Sequence, residues 1–249
     1  MTQAEQEQKQ QSRFLVTPGD KVVEGEYKLL SPLTAYRLGN AYYASVVGLA
    51  EVNDAEKTLR VIPLEGFYYP KVGDLVIGIV ENVGVTNWEV DIKAPFPGVL
   101  YAVDFLGRPV NTAKESLKDY LDVGDVVICK IEAFDRTRDP VLTAKGKDLG
   151  KVVKGALVEI NPVKIPRVIG KKGSMQSMIE NETGCKLVVA NNGRILINCE
   201  DRAYEDIVVL AIRKIEKEAH TSGLTDRIKE FIALEKVRRG LIGGKEREA

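Results

Sequence analysis

Ile165-Pro166-Arg167-Val168-Ile169-Gly170-Lys171-Lys172-Gly173-Ser174-Met175-Gln176-Ser177-Met178-Ile179 is the stretch whose reading settles what kind of chain this is. Its two glycines, three apart, let the backbone turn tightly between two helices and approach a ligand without Cβ interference. Amides at the start of the second helix can then face an anion, because a helix N-terminus offers unsatisfied N–H groups and a favourable dipole. Lys171 and Lys172 add charge at the tip. Between positions 151 and 175 there are six Lys or Arg and one acidic residue, Glu159. This local excess counts because the whole chain is balanced, with 36 Lys plus Arg against 36 Asp plus Glu. A purely electrostatic polyanion binder would carry a net positive charge, so any basic surface here is local.

Outward from this stretch the period of the apolar residues is helical. Positions 174–182 carry Met175, Met178 and Ile179, and positions 202–219 carry Ile207, Leu210, Ala211 and Ile215 at helical spacing, while 185–190 and 194–199 read as strands. The order after Gly155 is β-α-α-β-β-α. A last amphipathic segment, 225–239, precedes the glycine-bearing run at 240–244 and a charged end expected to fray.

Upstream the period is two. A weak repeat runs through Thr17-Pro18-Gly19-Asp20-Lys21-Val22, Lys71-Val72-Gly73-Asp74-Leu75-Val76 and Asp122-Val123-Gly124-Asp125-Val126-Val127. Each places a Gly-Asp turn directly before a β-branched run, as at the start of a strand. Residues 67–147 therefore read as one closed β unit of about five strands. Residues 13–66, with runs such as 42–47 and 59–63 between turn residues, read as a small β-domain without a helix. Residues 1–12, with five glutamines, read as a disordered tail.

Val168-Ile169-Gly170-Lys171-Lys172-Gly173 followed by an amphipathic helix resembles the KH-domain signature, in which a Gly-x-x-Gly loop clamps about four nucleotides. The element order resembles the type I arrangement (βααββα), and the region spans 150–220. By this resemblance Arg167, Val168, Ile169, Gly170, Lys171, Lys172 and Gly173 hold single-stranded RNA. Val168, Ile169 and Ile179 would form the apolar floor of the groove, with strand 186–190 as its far wall. Ordinary core packing is the other reading of Val168 and Ile179.

Residues 67–147 resemble the OB-type RNA-binding barrel repeated in the largest protein of the bacterial small ribosomal subunit. The likeness lies in Val72-Gly73-Asp74-x-Val76-x-Gly78-x-Val80, Trp88-x-Val90-x-Ile92, Gly98-Val99-Leu100-Tyr101 and Val123-Gly124-Asp125-Val126-Val127-x-x-Lys130-Ile131. Such barrels stack bases on exposed aromatics beside cations. Here alternation turns Trp88, Val90 and Ile92 inward and leaves Glu89 where that family displays a stacking phenylalanine. The segment has ten basic and twelve acidic residues. Tyr101, Lys93, Arg108, Arg136 and Arg138 remain as candidate RNA contacts, and the barrel either stacks bases or lines a passage.

The order β-domain, barrel, single KH domain resembles the RNA-binding cap subunit of the archaeal exosome, from about Phe14 to His220. The fold class is multidomain, β then α+β, followed by a C-terminal helix and tail over 221–249. The resemblance implies three copies on a ring of RNase PH-type phosphorolytic subunits, the N-terminal β-domain docking on the ring and the KH domains capturing RNA for 3′-to-5′ degradation. A transcription or translation factor built from the same modules is the alternative. No enzyme is expected, nor any cofactor or metal. The one histidine, His220, falls near a helix end, and Glu200-Asp201 and Glu205-Asp206 lie at a helix start, where negative charge is favourable. The three cysteines, Cys129, Cys185 and Cys199, are odd in number without a Cys-x-x-Cys pair, which suggests a reducing, cytoplasmic setting. No apolar run approaches the ~20 residues of a membrane span.

Overall fold

The computed structural model describes residues 11–111, 115–135, 137–219, 221 and 223–241. They divide into two compact units between Gly66 and Phe67.

The first unit is all β among its described residues. Strands β1 (Gln11–Val16), β6 (Gly48–Asn53), β7 (Thr58–Pro63) and β3 (Lys28–Leu29) form one sheet in the order β1-β6-β7-β3. Strands β2 (Lys21–Glu24), β5 (Ala41–Ala44) and β4 (Ala35–Leu38) form a second, in the order β2-β5-β4. Val16, Val22, Tyr42, Ala50, Val52, Leu59 and Val61 make the core. The strand expected at 42–47 stops at Ala44; the Ser45 amide still donates to the Thr34 carbonyl opposite it, and the chain then bends over 45–47 into β6. The tail expected over 1–12 also needs correction. Gln11 and Ser12 pair with Asn53 and Val52, because β6 offers a free edge for the whole length of β1. The remainder of that tail lies outside the described residues.

The second unit begins with the barrel: β8 (Leu75–Val83), β9 (Asn87–Asp91), β10 (Gly98–Tyr101), β11 (Val126–Asp135) and β12 (Arg138–Thr143). Strand β12 pairs parallel with β10 and antiparallel with β11, which closes the sheet. A short helix α1 (Ala102–Leu106), not foreseen in the sequence, follows β10. Trp88, Val90 and Ile92 all point into the barrel and are fully buried, and the Trp88 indole N–H donates to the Leu121 carbonyl at 2.9 Å. Glu89 between them is exposed, as alternation requires. The barrel sheet runs past 147, because β13 (Gly150–Lys151) pairs with β11.

The Gly-Asp repeat has one structural meaning. Gly19, Gly73 and Gly124 have φ of 92°, 89° and 89°, the left-handed third position of a type II turn that glycine adopts without strain. In the barrel, the Gly73 amide donates to the Ile131 carbonyl on β11, whose own amide donates to Asp74. Reciprocally, the Gly124 amide donates to Val80 on β8, whose amide donates to Asp125. The two similar segments thus lie side by side, each turn pinning the other's strand. In the first unit, Gly19 and Asp20 make the same pair of bonds with Ala44.

Strand β14 (Ala156–Glu159), helices α2 (Ile165–Ile169) and α3 (Ser174–Thr183), strands β15 (Lys186–Val189) and β16 (Arg194–Asn198) and helix α4 (Arg202–Glu218) follow in the expected βααββα order. The sheet order is β14-β16-β15. Helices cover one face, burying Ile165, Val168, Met175, Ile179, Ile207, Ala211 and Ile215 against Ile195 and Ile197. Helix α5 (Leu224–Arg238) is part of this core rather than an appendage, since Leu224, Ile228 and Ile232 are buried in it. The other face of the same sheet packs on the barrel, Leu196 and Ala190 against Ile77 and Ile128. Burying each large aliphatic side chain there contributes about 1.5–3 kcal/mol, so barrel and KH domain are one body.

Candidate nucleic-acid interface

The Gly170–Gly173 loop joins α2 to α3. Gly170 has φ 76° and ψ 177°, and a Cβ there would lie 2.7 Å from the Met175 amide nitrogen. Only glycine lets the loop fold back onto the start of α3. Lys172 has φ 53° and Gly173 φ 82°, so consecutive left-handed residues turn the tip. No side chain caps the first turn of α3; its first amide, Ser174, donates to the Lys171 carbonyl within the loop.

Arg167, Lys171 and Lys172 are exposed, and none of them forms an ion pair with another described residue. Ile169 and Gly170 are half-buried beside them. Val168 and Ile179 are fully buried in the core, so of their two readings the core-packing one holds in the structure. The α2 helix turns Val168 inward, so of that apolar trio only Ile169 reaches the surface. Strand β15 is the sheet edge facing α3. There the Leu187 amide donates to Glu180 Oε1 at 2.9 Å and its carbonyl accepts from Gln176 Nε2 at 3.0 Å. At that position the expected far wall is already satisfied by the protein itself.

The barrel candidates have diverse environments. Tyr101 is 43 % exposed at the end of β10. Arg138 is exposed at the start of β12, opposite Asp135. Arg108 is exposed but its guanidinium is forked on Glu115 (2.8 and 3.1 Å) and donates to Tyr120 Oη at 3.0 Å, so RNA would have to displace a carboxylate. Lys93 is half-buried and turned toward the KH domain, its ammonium 3.2 Å from Glu159. It belongs to the joint between the domains. Arg136 lies outside the described residues, as does His220.

That joint is the feature the sequence did not disclose. The turn between β15 and β16 inserts into the barrel: the Asn191 amide donates to the Leu75 carbonyl at 2.8 Å, and Asn192, fully buried, donates to the carbonyls of Ile77 (2.8 Å) and Ile92 (2.9 Å). Arg194, 3 % exposed, donates to the Asp91 carbonyl (2.6 Å) and to the carboxylates of Asp91 and Glu159. Burial disfavours charge on Glu159, but its bonds to Arg194 and Lys93 outweigh this and hold its carboxyl below the usual range. The Asn-Asn-Gly-Arg sequence signals a hairpin turn, and nothing local says that its polar side chains reach 100 residues back.

An OB-type barrel fused through its KH partner's open sheet face, with an exposed Gly-x-x-Gly loop, defines a protein of the S1–KH class. Family models agree: residues 13–65 match the exosome RNA-binding protein RRP4 N-terminal domain, 68–151 the S1 domain of exosome complex component RRP40, and 156–210 the KH domain. Exosome complex component Rrp4 of Saccharolobus solfataricus is 52 % identical over 225 residues, 89 % of this chain and 88 % of that one. The Ignisphaera aggregans protein of the same name is 49 % identical over 236 residues, 92 % and 93 % of the two chains. A crystal structure of a protein assigned only provisionally as an exosome complex RNA-binding protein superposes with a TM-score of 0.67 at 49 % identity, covering 70 % of this chain and 99 % of that one. The chain belongs to the archaeal Rrp4 family of exosome components.

Proposed function

We propose that this chain is the non-catalytic RNA-binding subunit of an archaeal exosome, which captures single-stranded RNA and directs it into a phosphorolytic nuclease ring for 3′-to-5′ degradation in the cytoplasm. The observation that carries the reading is the exposed Gly170–Gly173 loop, with Arg167, Lys171 and Lys172 unpaired around an uncapped helix start, mounted on a rigid barrel. Backbone amides and mobile cations suit phosphates and hold a strand whatever its sequence. Residues 1–66, with seven basic and nine acidic residues, contain the N-terminal β-domain, which is assigned to docking on RNase PH-type ring subunits, three copies to a ring. Its exposed apolar residues, Leu15, Leu30 and Leu38 among them, supply surface for a protein contact.

The test is the native mass of the complex purified through this chain. Co-purification with ring subunits at one cap chain for every two ring subunits, three cap chains to a ring, is the expected result. Co-purification with an RNA polymerase or ribosomal particle instead would overturn the reading in favour of a transcription or translation factor.

A further inference from the structure

Two of the three cysteines are joined in the fold. Cys185 and Cys199 form a disulfide, and Cys129 is a buried free thiol in the barrel. Cys185 immediately precedes β15 and Cys199 immediately follows β16. The register pairs Lys186 with Asn198, so the next residues outward, Cys185 and Cys199, stand opposite each other, their Cα atoms 4.3 Å apart. That is the close approach of a non-hydrogen-bonded antiparallel pair. Strand pairing brings the two sulfurs together before any bond forms between them.

We propose that Cys185 and Cys199 are a native oxidative modification site, formed in the working protein by exchange with a small-molecule disulfide, and that the bond sets the thermal stability of the KH domain. Cys199, the less buried of the two, attacks the small disulfide and releases one thiolate. Cys185 then attacks the Cys199 sulfur and releases the second. Two S–H protons leave the protein and end on the two small thiols. The cysteines are oxidised and the small disulfide is reduced.

The position gives the bond its leverage. Cys185 follows Gly184, the left-handed residue that ends α3, and Cys199 lies two residues before Asp201, whose carboxylate accepts the Ala203 amide and caps α4. One bond therefore pins the end of α3, the start of α4 and the open end of the hairpin. The hairpin's other end is already held by Asn191, Asn192 and Arg194 in the barrel. Reduction consequently loosens the base of the hairpin while its tip stays docked, so the reduced protein remains folded but melts earlier. Closing a loop with a sequence separation of 14 restricts the unfolded chain enough to shift the midpoint of a unit of this size by roughly 6–12 °C.

The experiment uses the full chain from cells broken directly into acid, then alkylated under denaturing, non-reducing conditions. The expected mass shows one alkyl group per chain, on Cys129, rising to three after reduction. Burial pushes the Cys129 thiol up to about 12, so it is inert until the fold opens. Three alkyl groups without reduction would overturn the proposal. Thermal midpoints are then compared with and without a phosphine reductant, completeness of reduction being checked by mass. A loss of roughly 6–12 °C is expected for the parent. None is expected for the Cys185→Ala, Cys199→Ala variant, which should melt near the reduced parent. An unchanged midpoint in the fully reduced parent also overturns the proposal, and this comparison needs no substitution. Neither measurement involves RNA, so its outcome is independent of the proposed function.

Discussion

The double change Lys171→Asp, Lys172→Asp inverts the charge at the loop tip without disturbing what holds the loop. Both side chains are exposed, and such surface changes usually stay within about ±0.5 kcal/mol each. Lys172 has φ 53°, a left-handed conformation that aspartate tolerates better than most residues, so the backbone should keep its course. The loss falls on RNA. Each phosphate contact to a single strand contributes about −0.7 to the slope of log affinity against log salt, so two lost contacts should flatten that slope by about 1.4. At about 0.1 M salt the same two contacts correspond to a roughly 25-fold loss of affinity, before any repulsion by the new carboxylates. The assay is a salt titration of binding to several unrelated single-stranded RNAs, with circular dichroism as the control for folding. The loss should be similar for all of them, because the loop holds backbone rather than reading bases. A folded variant with the parent's affinity and slope would refute the assignment of this loop as an RNA grip.

Gly170→Ala should weaken RNA binding and lower the midpoint together, because a Cβ at 2.7 Å from the Met175 amide and a φ of 76° both force the loop open; unchanged stability by calorimetry would show the loop tolerates a side chain. Arg194→Ala should cost about 2–3 kcal/mol in urea unfolding, less than the roughly 3–5 of a fully buried pair because Asp91 and Glu159 keep partial access to water. Glu159 is held below its unfolded value, so its contribution is present above the usual carboxylate range and is lost as pH falls through its lowered folded value; the Arg194→Ala variant should show a shallower acid dependence than the parent. Deleting residues 1–66 should abolish co-sedimentation with ring subunits and leave RNA binding by the second compact unit largely intact; a truncated chain that still sediments with the ring would contradict the docking role. The purified chain should show no RNA cleavage with or without divalent metal, checked by single-turnover assays after repeated purification.

Patterns confined to neighbouring residues could be read before any fold was known. The alternation in Trp88-Glu89-Val90-Asp91-Ile92 assigns the inside and outside of a strand, and the structure buries Trp88, Val90 and Ile92 while leaving Glu89 exposed. The Gly170–Gly173 loop, the element order around it and the turn chemistry of Gly73-Asp74 and Gly124-Asp125 were legible for the same reason. Each depends on local backbone freedom and hydrophobic period, which a chain of a few residues carries within itself.

What the tertiary structure decided are matters of distance along the chain. Val168 belongs to the core and Ile169 to the surface because α2 packs with one particular rotation on β15, which periodicity over five residues cannot fix. Lys93 and Arg108 looked like free cations until folding set them against Glu159 and Glu115. Cys185 and Cys199 pair by strand register rather than by spacing. Asn192 and Arg194 find their partners on strands about 100 residues earlier, because the open face of the KH sheet must be covered and the barrel is what covers it. The modules and the chemistry of the loop are written in local sequence; the packing of one module on another determines which polar residues remain free to meet a ligand, since a side chain's partners are set by where the whole chain places it.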